Sequence, residues 1–92
     1  MKNKHRKTKI ETMLKTIIID DEPAAIEILE RHAQKVPFIE LKKSFFSTAE
    51  ALAYLHNENI DLIFLDVQMP DMLGTDFARL IQNKSIQIVV YQ

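Results

Sequence analysis

Three aspartates stand directly after runs of apolar residues, and they are the best candidates for chemistry in this chain. Asp20 and Asp21 follow the apolar residues 17–19, and Asp66 follows the apolar residues 62–65. A buried carboxylate without a partner is costly, so each aspartate must face a cleft or an opposite charge. If the two apolar runs are neighbouring parallel strands, their carboxyl ends share one edge of the sheet. The three carboxylates are then expected to converge in one pocket.

Three convergent carboxylates repel one another unless protons or a cation neutralise them. Oxygen ligands without a neighbouring histidine or cysteine favour a hard ion such as Mg²⁺. An aspartate beside such an ion can attack phosphorus and form an aspartyl phosphate. A single aspartate at a strand end is more often a loop starter or a helix cap. The spacing of Asp20, Asp21 and Asp66 alone leaves both interpretations open.

The elements that must position these aspartates alternate along the chain. Short apolar or β-branched runs predict strands, and apolar residues at helical spacing predict helices between them. Pro23 suits the first position of the first helix, and Ser47 with Glu50 forms a possible capping box for the second. The predicted strands are residues 15–19, 39–46, 61–66 and 86–91, and the predicted helices are about residues 23–36, 47–56 and 76–83. The β-α-β-α-β-α-β order predicts an α/β fold with a parallel sheet covered on both faces.

Composition narrows the class of protein. A chain of 92 residues suits one small domain, and 47% hydrophobic with 27% charged residues is usual for a soluble one. The absence of cysteine excludes disulfides, thiolate metal sites and a cysteine nucleophile. No apolar run approaches the roughly 20 residues that span a bilayer. These features predict a cytoplasmic protein without a membrane partner.

The start of the chain is basic. Residues 1–9 contain five of the 12 basic residues and no acidic residue, which leaves seven basic against 13 acidic residues in the rest. Such a short run predicts a solvated, disordered extension over residues 1–13. Contact with nucleic acid is the alternative, but five charges without an aromatic residue are weak evidence for it.

Two segments together carry a resemblance to a known family. IIIDDEP, from Ile17, and DLIFLDVQMPDMLG, from Asp61, resemble the receiver domain of two-component response regulators. The segment LKTIIIDDEPAAIEILERHAQKVPFIEL, residues 14–41, is similar in sequence to receivers that precede LytTR-type DNA-binding domains. The resemblance runs from about Leu14 to Val90. It implies a flavodoxin-like doubly wound parallel sheet.

The resemblance also implies roles for individual residues. Asp66 matches the phosphoacceptor, and Asp20 and Asp21 match the acidic pair that binds Mg²⁺, Asp21 directly and Asp20 largely through water. Gln68 stands where the family uses a backbone carbonyl as a metal ligand. The implied donor is a phosphohistidine of a sensor histidine kinase. The domain is then a phosphoacceptor rather than an enzyme, with at most Mg²⁺-dependent self-phosphotransfer.

The chain departs from the family pattern at its carboxyl end. A receiver has a further strand and two further helices after its fourth strand, and this sequence has no counterpart to them. The family's serine or threonine falls near Gln92, where the sequence reads Tyr91-Gln92, and the family's lysine after the fifth strand has no match. We therefore expect residues 14–92 to form a truncated, four-stranded receiver domain. No direct DNA binding is expected from this chain.

Two other functions remain as alternatives. An exposed fourth strand favours self-association, so the chain can be a non-catalytic interaction or oligomerisation module that keeps the receiver fold. A metal-dependent phosphohydrolase is the weaker alternative, because such enzymes usually carry a second acid two residues after the nucleophile. That position is Gln68 here.

Overall fold

The computed structural model describes residues 13–81 and 85–92, which form one parallel sheet with connecting helices. In chain order the strands are β1 (Leu14–Ile19), β2 (Ile39–Phe45), β3 (Leu62–Asp66) and β4 (Gln87–Tyr91). The helices are α1 (Pro23–Gln34), α2 (Thr48–Leu55) and α3 (Gly74–Leu80). All neighbouring strands are parallel, in the order β2-β1-β3-β4. The predicted α/β fold, with the first and third strands as neighbours, is confirmed.

The sheet carries apolar side chains on both faces because β1 and β3 lie in its middle. Ile17, Ile18 and Ile19 are fully buried, as are Ile63 and Leu65. Successive side chains of a strand point to opposite faces. Ile17 and Ile19 accordingly belong to one core cluster with residues of α2 and α3, whereas Ile18 does not. The near-continuous apolar runs in the sequence thus reflect burial on both faces of a parallel sheet.

The element boundaries differ from the predicted ones by one or two residues at most places. Helix α1 ends at Gln34, two residues earlier than expected, and α3 begins at Gly74, two residues before Asp76. Ser47 caps α2, since its hydroxyl accepts a hydrogen bond of 3.1 Å from the Glu50 amide. Helix α3 ends at Leu80, earlier than predicted, because Ile81 is already extended; residues 82–84 lie outside the described residues. So does the basic extension, apart from Met13.

Among the helices of the described residues, none has both the length and the apolar character needed to cross a bilayer.

Candidate metal-binding and phosphorylation site

The sheet brings the three predicted aspartates to one place. Strands β1 and β3 pair directly, with Ile19 opposite Leu65, so their carboxyl ends lie side by side. Asp20 and Asp21 follow β1, and Asp66 is the last residue of β3. One carboxylate oxygen from each aspartate lies within 4.8 Å of the other two. The convergence expected from the sequence is therefore present.

The three carboxylates differ in exposure. Asp20 is 1% exposed, Asp66 is half-buried and Asp21 faces solvent. The Glu22 amide donates a hydrogen bond of 2.9 Å to Oδ1 of Asp20. This local contact between the side chain and the backbone fixes the orientation of the Asp20 carboxylate. The site thus combines one fixed carboxylate with one that reaches solvent.

The segment after β3 folds back onto the phosphoacceptor candidate. The Gln68 amide donates a hydrogen bond of 3.1 Å to Oδ1 of Asp66, which makes a turn of two residues. This turn holds Gln68 beside the carboxylates, although its side chain is exposed. The assignment of the Gln68 carbonyl as a metal ligand stays a prediction.

The chemistry of these donors suits a divalent cation. Three carboxylates supply hard oxygen ligands, the kind that Mg²⁺ prefers over nitrogen or sulfur. Magnesium usually keeps several waters and needs only one or two carboxylates from the protein. Because Asp21 and Asp66 are not fully buried, the cluster leaves an approach from solvent. The residues present therefore fit a magnesium site.

Tyr91 also belongs to the site, although its role there was not predicted from the sequence. It is the last residue of β4 and lies opposite Asp66 in the register of the sheet. Its hydroxyl donates a hydrogen bond of 2.7 Å to Oδ2 of Asp20. Its place directly at the carboxyl end of the fourth strand was the available signal, because this end of the sheet also holds the aspartates.

The surroundings of Tyr91 keep its phenol protonated. Burial raises the pKa of Tyr91 above its usual value, and the hydrogen bond to Asp20 raises it further. The negative charges of Asp20 and Asp66 act in the same direction. The Tyr91 hydroxyl therefore stays protonated, and can donate its hydrogen bond, at neutral and moderately alkaline pH.

Hydrogen bonds to Asp71 connect the loop after β3 to the start of α2. Its Oδ2 accepts hydrogen bonds from the Thr48 hydroxyl at 2.8 Å, the Thr48 amide at 3.1 Å and the Ala49 amide at 3.3 Å. These amides belong to the first turn of α2, where backbone donors lack helical partners. A negative charge there also interacts favourably with the helix dipole. Asp71 is thus a structural residue that holds the loop next to the acidic site.

These contacts make a testable contribution to acid stability. Desolvation raises the pKa of Asp71, but the hydrogen bonds from Thr48 and the backbone amides outweigh it, so the pKa lies below 3.8. A lowered pKa means that the contribution is complete above the unfolded-state value of about 3.9 and disappears as the pH falls through the folded-state value. Asp71→Ala should therefore lower the free energy of unfolding by about 1 kcal/mol at pH 7, as other helix caps do.

Urea unfolding at pH 7, 5 and 3, followed by circular dichroism, measures this effect. The difference between wild type and Asp71→Ala should shrink towards pH 3. Asp71→Asn is the matched variant, because it keeps an acceptor oxygen without the titrating charge. A difference that grows as the pH falls would contradict this account of Asp71.

Comparisons with known proteins agree with the fold. The family model of the response regulator receiver domain matches residues 16–91. The transcriptional regulatory protein BtsR of Escherichia coli strain K12 is 30% identical over 79 residues, which cover 86% of this chain and 33% of BtsR. The transcriptional regulatory protein NatR of Bacillus subtilis strain 168 is 33% identical over 78 residues, or 85% of this chain and 34% of NatR. The chain thus spans about a third of the length of these curated relatives.

A solved structure gives the same result for the fold. The response regulatory domain of protein mrkE from Klebsiella pneumoniae superimposes with a TM-score of 0.76 at 30% sequence identity, covering 84% of this chain and 65% of that one. Parallel strands, an acidic cluster at their carboxyl ends and the family match define a signalling domain of the flavodoxin-like class. The chain belongs to the response regulator receiver family of two-component systems.

Proposed function

We propose that Asp66 accepts a phosphoryl group from a phosphohistidine of a sensor histidine kinase, in a reaction that depends on Mg²⁺. The observation that carries this proposal is the convergence of the Asp20, Asp21 and Asp66 carboxylates within 4.8 Å at the carboxyl ends of β1 and β3. Membership of the receiver family supports it. The signalling role belongs to the family, and the residue assignments are our proposal.

Each residue has a defined task in this reaction. Asp21, which faces solvent, would hold the cation directly, with Asp20, Asp66 and the Gln68 carbonyl completing the set. The cation, when bound, neutralises charge on the transferred group. The Gln68 amide fixes Oδ1 of Asp66, so Oδ2 is the oxygen proposed to attack phosphorus. An oxygen–phosphorus bond forms at Asp66 while the phosphorus–nitrogen bond of the donor breaks and its electron pair returns to the histidine.

The intact mass of the protein tests this proposal after incubation with a small phosphodonor. One added phosphoryl group is expected in the presence of Mg²⁺ and none in the presence of EDTA. Asp66→Asn should remove the addition under both conditions, because the amide is not a nucleophile. Asp76→Asn is the control, since Asp76 lies on the exposed side of α3. Phosphate addition to Asp66→Asn would show that the acceptor is another residue.

A second function is favoured by the exposed edge of the sheet. Val89 and Val90 on β4 are 45% and 46% exposed, and β4 lies at the end of the strand order in the described residues. Exposed apolar edge strands tend to pair with another chain. The alternative proposal is therefore an interaction module that self-associates through β4.

Sedimentation analysis at several protein concentrations separates this alternative from a monomer. We expect a concentration-dependent dimer that Val89→Lys weakens by at least about tenfold, because a lysine on an edge strand opposes pairing. Ile28→Lys is the matched control, since Ile28 is also an exposed apolar residue, at 53%, but lies on α1. Equal weakening by both variants would point to general hydrophobic contact instead of pairing at β4.

The narrower subgroup and the cellular setting are also proposals. We infer a LytTR-type receiver from the segment that begins at Leu14, and a cytoplasmic location from the composition. The relatives named above are transcriptional regulatory proteins three times as long as the matched region. Transcriptional control is accordingly proposed only for a protein in which a receiver such as this one works with an output domain.

A further inference from the structure

The Tyr91 side chain crosses the acidic site. In the described sheet β3 lies between β4, which carries Tyr91, and β1, which leads into Asp20. Neighbouring strands are about 4.8 Å apart, so a contact from β4 to the end of β1 bridges about 10 Å. The hydrogen bond from the Tyr91 hydroxyl to Asp20 therefore takes the aromatic ring across the end of β3. Asp66 lies at that end, directly opposite Tyr91.

The backbone of Tyr91 is held in place, so any movement must come from its side chain. The Val67 amide donates a hydrogen bond of 2.8 Å to the Tyr91 carbonyl, and β4 pairs with β3 up to this residue. The ring is only half-buried, which leaves it room to turn towards solvent. The contact with Asp20 thus acts at the free end of a side chain whose base is fixed.

The hydroxyl of Tyr91 and a cation compete for the same oxygen. Oδ1 of Asp20 already accepts the Glu22 amide, and Oδ2 accepts the Tyr91 hydroxyl. Each carboxylate oxygen has about two lone-pair sites, so the Tyr91 hydroxyl takes one of those on Oδ2 and weakens this oxygen as a ligand for a cation or for its water molecules. A phosphoryl donor also needs the space over Asp66 that the ring crosses. Both ligands are therefore opposed by the same side chain.

We propose that Tyr91 covers the side of the acidic site at Asp20 when no cation is bound, with its hydrogen bond to Oδ2 of Asp20 as the latch, while the side at Asp21 stays open to solvent. This inference rests on the proposed magnesium site and adds the residue that controls access to it. Entry of a divalent cation releases the hydroxyl, and the ring turns away from Asp66. Tyr91 is then a positioning residue that sets cation affinity and access to the phosphoacceptor.

Calorimetric titration with Mg²⁺ measures the latch directly. Tyr91→Phe keeps the ring and removes the hydroxyl, so the Kd for Mg²⁺ should fall about fivefold, the equivalent of about 1 kcal/mol for one hydrogen bond. Tyr54→Phe is the matched control, because the Tyr54 ring packs on Phe45, with ring centroids 5.1 Å apart, and against the Lys43 ammonium. Its Kd should equal that of the wild type.

Tyrosine fluorescence gives a second readout that keeps the native latch. The chain has two tyrosines and no tryptophan, so Tyr54→Phe leaves Tyr91 as the only strong emitter. Release of the phenol from a carboxylate should change its emission during the Mg²⁺ titration. The midpoint should agree with the calorimetric Kd, and Asp20→Asn should change the starting signal.

The outcomes separate the latch from the proposed function. Tighter Mg²⁺ binding by Tyr91→Phe, or binding by this variant alone, supports the latch. Equal or weaker binding by Tyr91→Phe, with a constant Tyr91 emission, overturns the latch and leaves the magnesium site intact. Absence of Mg²⁺ binding in both the wild type and Tyr91→Phe overturns the magnesium site itself and the latch with it.

Discussion

Replacing Asp21 with asparagine is expected to raise the free energy of unfolding when divalent cations are absent. Asp21 contributes one of three carboxylates that lie within 4.8 Å of one another, so the folded state gathers like charges that the unfolded chain keeps apart. At such distances a pair of unit charges interacts by about 1 kcal/mol in water and by more at lower dielectric. Because Asp21 is exposed, the lower figure applies, and a gain of about 1 kcal/mol is expected.

The same substitution should reduce the stabilisation that Mg²⁺ gives. A ligand that binds only the folded state adds about 2.7 kcal/mol at a concentration 100 times its Kd. If Asp21→Asn weakens binding tenfold, the gain at that concentration falls to about 1.4 kcal/mol. The order of stability of the two proteins should therefore reverse or nearly reverse when Mg²⁺ replaces EDTA.

Urea unfolding in EDTA and in Mg²⁺ measures both effects on the same samples. Glu22→Gln is the control, because Glu22 is the adjacent acidic residue, is exposed and is not one of the three clustered carboxylates. It should show the full wild-type response to Mg²⁺. The role given to Asp21 would be contradicted if Asp21→Asn were less stable than the wild type in EDTA. It would also be contradicted if Mg²⁺ stabilised this variant as much as it stabilises the wild type.

Phe77→Ala is expected to have the largest effect on stability. Phe77 is fully buried and is among the largest side chains of the core, although it lies on a helix of only seven residues. Removing a buried phenylalanine usually costs about 3–5 kcal/mol, from lost transfer energy and from the cavity that remains. Small domains have only about 5–15 kcal/mol in total. Much of the folded population should therefore be lost near 37 °C.

Leu80→Ala is the matched control for this prediction. Leu80 lies on the same helix but is 53% exposed, so its truncation should change the free energy of unfolding by about 0.5 kcal/mol or less. Thermal and urea unfolding of both variants measure the difference. Similar losses for the two substitutions would contradict the account based on burial, because both introduce alanine, the strongest helix former, and so lose no helix propensity.

The parts of the site that were predicted from the sequence are those controlled by local pattern. The apolar runs before Asp20 and Asp66 identified two buried strands, and the rule for parallel sheets placed their ends together. Ser47 likewise caps α2 as predicted, because its hydroxyl accepts a hydrogen bond from the Glu50 amide three residues later. Each of these features can be recognised within a short window of residues.

The features that were missed depend on contacts between distant residues. Asp71 binds Thr48 across 23 positions, and Tyr91 binds Asp20 across 71 positions. The periodic pattern of apolar residues does not indicate such pairs, because they arise from the register of strands and loops that are far apart in sequence. The early start of α3 was missed for a different, local reason, since Leu73 at its N-cap provides no side-chain hydrogen bond. A helix start without a capping side chain leaves no signal in the sequence.

The central position of β1 affects how the chain folds as it is synthesised. The isoleucines of β1 can pair with β3 only after β3 has been synthesised, and Ile19 precedes its partner Leu65 by 46 residues. At roughly 5–20 residues per second, translation takes about 2–9 seconds to supply that partner. During this interval the β-branched apolar run of β1 has left the ribosome without its partner strand β3. A ribosome-associated chaperone that binds short apolar segments would therefore find β1 available during this interval.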